Sequence, residues 1–517
     1  MLLALFVLTI TTAMLSTAYM AVEGDIGLSH NDLNQKQALS AAQVGIAAYN
    51  YDLNENPDYW ELCDSATAVA VPSSTTETYA FAPVVASTAP SGTTVCSTAD
   101  PVGTMIESST LTGGGINPAG GTFRISSTGT SGGVSRTIVA QYARSSFLNF
   151  VYYTDYETMD PAAISGDPTD CNRHYTDIPP RGSDCGGIIS FVTGDNIQGP
   201  LHSEDTLAIC GSPVFGRTSA DQIQAPFYNS EGQSGCADTP TMTGTYNASA
   251  PSLSPPLTDS QLLAIAQTAY QFVGYTSIVL NGATMSVTNP VLGWVNQSEA
   301  FPSNGVVYVS GSTTSACSET YTPFTASSTY PGGSNYDANC GNVYVSGNYS
   351  QSLTIASDND IIINGNIIPT GQALGSAPSG TAVLGLIANN FVRIYHPING
   401  SNPGPSSDCG ASNASGTLPN PYIYAAILAV ANSFIVDNYN CGSPSGTGNL
   451  TVYGAIVQLY RGPVGTHQID GSVSTGYIKE YKYDDRLATI EPPYFLNPTS
   501  AAWYVQRQTE CDVAASC

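Results

Sequence analysis

The chain is poor in positive charge. Thirteen Lys and Arg stand against 39 Asp and Glu, a formal charge of −26, and charged residues are only 10% of its 517, against about 25% in ordinary globular proteins. A nucleic-acid partner demands a basic face, so that class is excluded. The same balance speaks against docking the bulk of the chain on anionic lipid. Metal and nucleotide signatures are lacking too. There is no Cys-x-x-Cys, no His-Glu-x-x-His and no Walker loop, which removes zinc-finger, zincin and P-loop chemistry. The five histidines, His30, His174, His202, His396 and His467, are far apart in sequence. One Gly-x-Ser-x-Gly match, Gly129 to Gly133 around Ser131, lies in a Gly/Ser/Thr turn and not at the strand-to-helix elbow of a hydrolase. Gly-Gly clusters sit in loops without the strand–helix context of a dinucleotide site. The expectation is a protein without catalytic, cofactor or metal residues.

Charge is absent altogether from Met1 to Val22, MLLALFVLTITTAMLSTAYMAV, and Glu23 is the first charged residue. A helix of that length spans roughly 33 Å, enough to cross a hydrocarbon core. A cleaved secretory signal would carry a shorter apolar region behind a basic start. Here the run is longer and no Lys or Arg precedes Lys36, although Ser16-Thr17-Ala18 would serve as a cleavage site. The reading is a retained, single-pass membrane helix over 1–22 with everything after it exported. The missing basic start suggests a chain that begins late, either by processing or by a start placed downstream of the true one.

Beyond the anchor the chain is rich in Gly, Pro, Ser, Thr and Asn, as in extracellular, turn-rich β proteins. Its twelve cysteines then read as oxidised pairs. Twelve cysteines allow on the order of ten thousand connectivities. Nearest-neighbour closure gives Cys63–Cys96, Cys171–Cys185, Cys210–Cys236, Cys317–Cys340, Cys409–Cys441 and Cys511–Cys517.

Leu39, Ala42, Ile46, Tyr49 and Leu53 recur at steps of three and four before Pro57, which predicts an amphipathic helix over about 28–53, continuous with the anchor. Residues 65–118 look like loops with a few edge strands. Thr122–Ser127 and Ser135–Ala140 flank TGTSGG and predict a β-hairpin. Helix and hairpin make an α+β domain over 23–146. From Phe147 short β-branched runs are split by Gly, Asn and Asp: Val307–Val309, Val343–Val345, Leu353–Ile355, Ile361–Ile363, Ile367–Ile368, Val383–Ile387, Ile427–Val430, Phe434–Val436 and Leu450–Val457. Ala388-Asn389-Asn390-Phe391-Val392 echoes Ala431-Asn432-Ser433-Phe434-Ile435, and Asn281-Gly282 and Asn364-Gly365 are further corners. Short apolar strands with repeated Asn/Gly corners predict a right-handed parallel β-helix over 147–495, with an antiparallel β-sandwich as the alternative and 496–517 as a tail.

Paired acids need weighing, because two carboxylates about 5–9.5 Å apart cleave glycosidic bonds. Asp358 and Asp360 would share a strand face, and Asp484-Asp485 lies near Lys482 and Arg486. With 39 acids close pairs arise by chance, and SDND resembles a turn. Asp358-Asn359-Asp360 offers oxygen ligands to calcium, but neither the EF-hand spacing nor the Gly-Gly-x-Gly-x-Asp nonapeptide is present.

The segment Leu28 to Cys63, LSHNDLNQKQALSAAQVGIAAYNYDLNENPDYWELC, resembles the shaft of PilX-type pilus assembly proteins, a minor-pilin class related to type II secretion pseudopilins. The likeness is densest from Gln35 to Ala47. The hairpin Phe123 to Ala140 is similar to the family's sheet strands. SFLNFVYYTDYETMDP, GDNIQGPLHSEDTLAICGSPVFGR, YGAIVQLYRGPVGT and YKYDDRLATIEPPYFL resemble an actinobacterial branch with a long solenoid-like body. The basic leader ending in Gly and the acid five residues into a mature major pilin are both absent. The resemblance implies a non-enzymatic minor pilin, at the tip or priming assembly. Its expected partners are the bilayer, other pilins, and a surface glycan or protein. Its expected location is the cell membrane, then a pilus or the cell surface. The alternatives are a membrane-tethered, polysaccharide-cleaving β-helix enzyme and a standalone adhesin.

Overall fold

The computed structural model describes residues 2–55, 59, 64–72, 74–83, 122–144, 146–164, 166–179, 181, 185–318, 320–326, 338–402, 409–443, 447–468, 472–488, 490–499 and 503–511, with only the backbone given for 2–7, 18–28, 122, 123, 143, 144, 168 and 506. The protein is mostly β, 41% strand and 15% helix. It forms two compact units, 1–144 with 502–517, and 145–501.

The first unit is built on one helix, α1 (Leu2–Glu55), about 80 Å long at 1.5 Å per residue. Ala42, Ile46, Tyr49 and Leu53 of the expected stripe are buried, with Ala38 and Ala41 beside them. They pack on an antiparallel sheet of β1 (Ala66–Ala70), β2 (Thr78–Pro83), β3 (Thr122–Ser131), β4 (Val134–Arg144) and the strand Trp503–Cys511. Gly132 and Gly133, with φ of 54° and 82°, make the two-residue β3–β4 turn, whose backbone twist both strands require. The segment expected to be a tail therefore supplies the fifth strand, along β4 from Arg144↔Trp503 to Thr137↔Cys511. Its polar QRQTE hides it in sequence, because an edge strand with one exposed face carries little hydrophobic pattern. The 145–501 unit is thus an insertion between two paired strands.

The expected membrane span, Met1–Val22, falls partly on residues given as backbone only. Among the described residues no helix is long and apolar enough to cross a membrane.

The second unit is a stack of parallel ladders. On one face, strands at 271–273, 306–310, 353–357, 384–388, 422–429 and 449–460 pair in that order, always parallel. The ladder continues through 152–156, 201–203, 222–224 and 245–247. A second ladder runs 276–282, 343–349, 361–369, then through 422–429, 449–460, 478–483, 196–198, 214–215 and 241–242. The chain enters at the middle of the stack, winds outward to Asn247, crosses to the opposite end at Gln271 and winds back. The two halves meet at a seam, Ile456↔Tyr152 and Glu480↔Asn196. Most strand runs bury Val, Ile or Leu between ladders, and among the described residues 66 buried side chains form one continuous core.

Three corner expectations differ in detail. Asn281-Gly282 ends the first strand of an antiparallel hairpin with 284–289, where Gly282 has φ 67°. Asn364-Gly365 lies within the strand Ile361–Pro369, at a shift of register against 343–349. The Ala-Asn echo is out of step, by two residues at Ala388 and by one at Val392. Ala388 pairs with Ala429 and Val392 with Phe434, so the second corner holds one more residue. The corners carry an asparagine ladder: Asn390 Nδ2 donates to Asn359 Oδ1, and Asn359 Nδ2 to Asn342 Oδ1, each at 2.6 Å.

Candidate functional site

Two features lie outside what folding alone needs, one in each unit. In the first unit, Leu8, Met14 and Leu15 are at least 65% exposed and Ile10 is 44% exposed. Hydroxyls on this stretch turn back onto the helix's own carbonyls: Thr12 Oγ1 donates to Leu8 O at 2.8 Å, Ser16 Oγ to Ala13 O at 2.9 Å and Thr17 Oγ1 to Ala13 O at 3.1 Å. The hydroxyls of this stretch are thus satisfied within the helix, while its large apolar side chains stand uncovered.

In the second unit, the seam encloses a cavity of about 390 Å³. Met159, 187–190 and Val192 come from the outward-winding half; Tyr439, Pro463, Thr466, His467, Tyr477 and Lys479 come from the returning half. Buried polar pairs stitch the two halves beside it. Arg461 Nη1 donates to Glu157 Oε2 at 2.7 Å and to Ile189 O at 2.8 Å. Its guanidinium carbon sits 3.7 Å above the Phe191 ring. Lys479 Nζ donates to Asp195 Oδ2 at 2.7 Å. Ser433 Oγ and Asn432 Nδ2 donate to Asp160 at 2.9 and 3.0 Å. Burial pushes the Asp160 carboxyl up to about 7, opposed by Ser433, Ala162 N–H and Asn432. Burial lowers the Lys479 ammonium, opposed by Asp195 and aided by the like charge of Arg461. Sequence reasoning missed this cluster because its partners stand 304 and 284 residues apart.

The residues weighed from sequence are scattered. Asp358 Oδ2 accepts Gly311 N–H at 2.5 Å. Asp360 Oδ2 pairs with Arg393 Nη1 at 3.0 Å. Asp484 pairs with Arg486 and Asp485 with Arg217. All four acids are engaged, and no three His, Cys, Asp or Glu among the described residues are grouped to hold a metal ion. Ser131 Oγ donates to Gln37 Oε1 at 3.1 Å in the hairpin turn. His174 lies between Asp155 and Asp177, and His202 between Gln224 and Glu204. His396 lies between Asp437 O and Asn413, and burial lowers it. His30 is exposed on α1, and only His467 reaches the cavity. Disulfides join Cys171–Cys185, Cys210–Cys236, Cys317–Cys340 and Cys409–Cys441. Cys511 is also oxidised, whereas Cys63, Cys96 and Cys517 lie outside the described residues.

One buried acid, Glu491, is expected to make stability depend on pH. Burial raises Glu491 to about 8 against hydrogen bonds from Ser146 and Asn497. A carboxyl raised in the folded state stabilises below its unfolded pKa, and that stabilisation is lost as pH rises through the folded value. Melting temperature should therefore fall between about pH 4.5 and 8 and level off above, and Glu491→Gln should flatten the fall by a few degrees. A calorimetric pH series on wild type and variant checks this; parallel curves would show that Glu491 is not the cause.

No family model matches the chain, and no curated protein matches it. Among solved structures, the competence-associated pilin ComZ from Thermus thermophilus aligns at 12% identity with a TM-score of 0.31, over 92% of this chain and 97% of that one. A superposition of that quality establishes neither family nor fold.

Proposed function

We propose that the chain is a structural subunit of a type IV pilus or a type II secretion-like filament, of the minor-pilin kind, at the tip or priming assembly. The observation that carries this is the divided helix: its second half is docked on an antiparallel sheet, and in its first half the apolar Leu8, Ile10, Met14 and Leu15 stand exposed. In this reading the exposed half is held in the bilayer before assembly and among neighbouring helices afterwards. The disulfides support an exported, surface location. The parallel ladders support reading the 145–501 unit as a parallel β-helix, a bulky acidic head that suits a tip better than a stacked shaft. The resemblance of Leu28–Cys63 and Phe123–Ala140 to minor-pilin segments supports the same role. The engagement of Asp358, Asp360, Asp484 and Asp485 in structural pairs favours a non-enzymatic subunit over a glycan-cleaving enzyme.

Membrane fractionation tests the first step. Wild type should stay in the carbonate-resistant membrane fraction. Leu15→Asp should deplete it about a hundredfold, because an aspartate near a helix centre costs about 2.5–3.5 kcal/mol on insertion. Deletion of the gene should abolish or sharply reduce filaments. Normal, functional filaments in the deletion strain would sink the proposal.

A further inference from the structure

The seam cavity holds chemistry that a filament role does not use. Lys479 lines it and is 8% exposed. An ammonium has three donors, and among the described residues one acceptor meets it, Asp195 Oδ2. That carboxylate is already shared, since it also accepts Val192 N–H at 2.9 Å and Lys479 N–H at 3.2 Å. The adjoining Arg461 is fully buried, and its Nη2 has no hydrogen-bond partner. Leaving buried donors unmade is expensive, so Lys479, which lines the cavity, carries unspent donors there. Ser190 Oγ accepts from Gln233 Nε2 at 2.5 Å, which keeps its own proton to give. His467 Nδ1 bonds Gln468 O at 2.9 Å and leaves Nε2 for a ligand. Against these polar groups stand the Tyr439 and Tyr477 rings and the Ile188 side chain.

We propose that this cavity binds an acidic monosaccharide unit, its carboxylate on Lys479, its hydroxyls on Ser190 and His467, and its C–H face on the apolar wall. The size lies in the range of small-molecule sites. Unspent cationic donors select a carboxylate over a neutral sugar. A wall that mixes rings, aliphatic side chains and hydroxyls selects a hydroxylated ring over a simple carboxylic acid. The inference stands independently of the filament reading, because it concerns binding by the isolated protein.

The test is calorimetric or ligand-observed NMR titration of the full chain in detergent with D-glucuronate, D-glucose, acetate and a disaccharide ending in glucuronate. Glucuronate should bind at least tenfold more tightly than glucose or acetate. Tighter binding of the disaccharide would mark a glycan terminus as the source, and weaker binding a free sugar acid; both support the site. Lys479→Met should abolish the preference for glucuronate over glucose. Because that change strands Asp195, His467→Ala at the rim is the second variant: it should weaken glucuronate at least threefold with an unchanged melting temperature. Equal affinity for glucuronate and glucose, equal affinity for acetate, no binding at all, or wild-type binding by a folded His467→Ala variant would each overturn the proposal.

Discussion

Gly129→Val is expected to lift α1 off its sheet and to destabilise the first unit by about 3 kcal/mol or more, the upper range for overpacked cores. A Cβ at Gly129 would lie 2.0 Å from Ala38 O and 2.3 Å from Ala42 N, both backbone atoms of α1. Side-chain rearrangement relieves most overpacking, but here the obstruction is main chain on both sides. The helix must therefore move as a body, and it would uncover Ile46, Tyr49 and Leu53, all buried in the wild type. The close approach is built from small residues on both partners. Ala38, Ala41, Ala42 and Gly45 of α1 face Ser127, Gly129 and Ser131 of β3, and a Cβ at Gly45 would meet Ser127 Oγ at 2.2 Å. Limited proteolysis of α1 and guanidinium unfolding of the full chain read the effect. Gly187→Ala, with nothing within 4 Å of the added carbon, is the matched control. A Gly129→Val protein as resistant as the control would refute this packing.

The helix was legible because burial on one face repeats every 3.6 residues, and Ala42, Ile46, Tyr49 and Leu53 announce that face. The body strands were legible one at a time: Leu353–Ile355 and Ile427–Val430 are apolar runs too short for helices. Their order was not. Strands buried on both sides carry no alternation that fixes a partner, so nothing local pairs Ile456 with Tyr152 or Glu480 with Asn196. The seam, its ion pairs and its cavity are products of that order. Lys479 and Asp195, read singly, are one base and one acid among 52 charged residues. The near-repeat at Ala388 and Ala431 pointed to stacked coils, and it missed the register because corners absorb an extra residue without disturbing the strands on either side.

The second large effect is expected at a column of charge that ties three successive parallel strands, 361–369, 392–394 and 434–436. Arg393 Nη1 donates to Asp360 Oδ2 at 3.0 Å, its Nε and Nη2 to Asp437 Oδ1 at 3.0 and 2.8 Å, and Nη2 also to Thr322 O at 2.8 Å. The guanidinium lies 4.9 Å from the Tyr321 ring and 4.8 Å from Phe324. Both acids are nearly or fully buried, Asp360 at 5% and Asp437 at 0% exposed. Arg393→Met keeps the stem and the ring contacts but strands two carboxylates, and breaking a buried pair from one side costs about 3–5 kcal/mol. The loss should depend on pH with a definite sign. Burial holds Asp437 raised to about 6 even with Arg393 beside it, and removal of the cation pushes it higher. A carboxyl raised in the folded state is tolerated when protonated and penalised when ionised, so the deficit should be largest near pH 8 and shrink toward pH 5. The double change Arg393→Met with Asp437→Asn removes one stranded charge and should recover part of the loss at pH 8 and little at pH 5. Urea unfolding of the four proteins of this cycle at both pH values measures it. A deficit that did not change with pH would mean that lost packing on Tyr321 and Phe324, and not the stranded carboxylates, sets the cost.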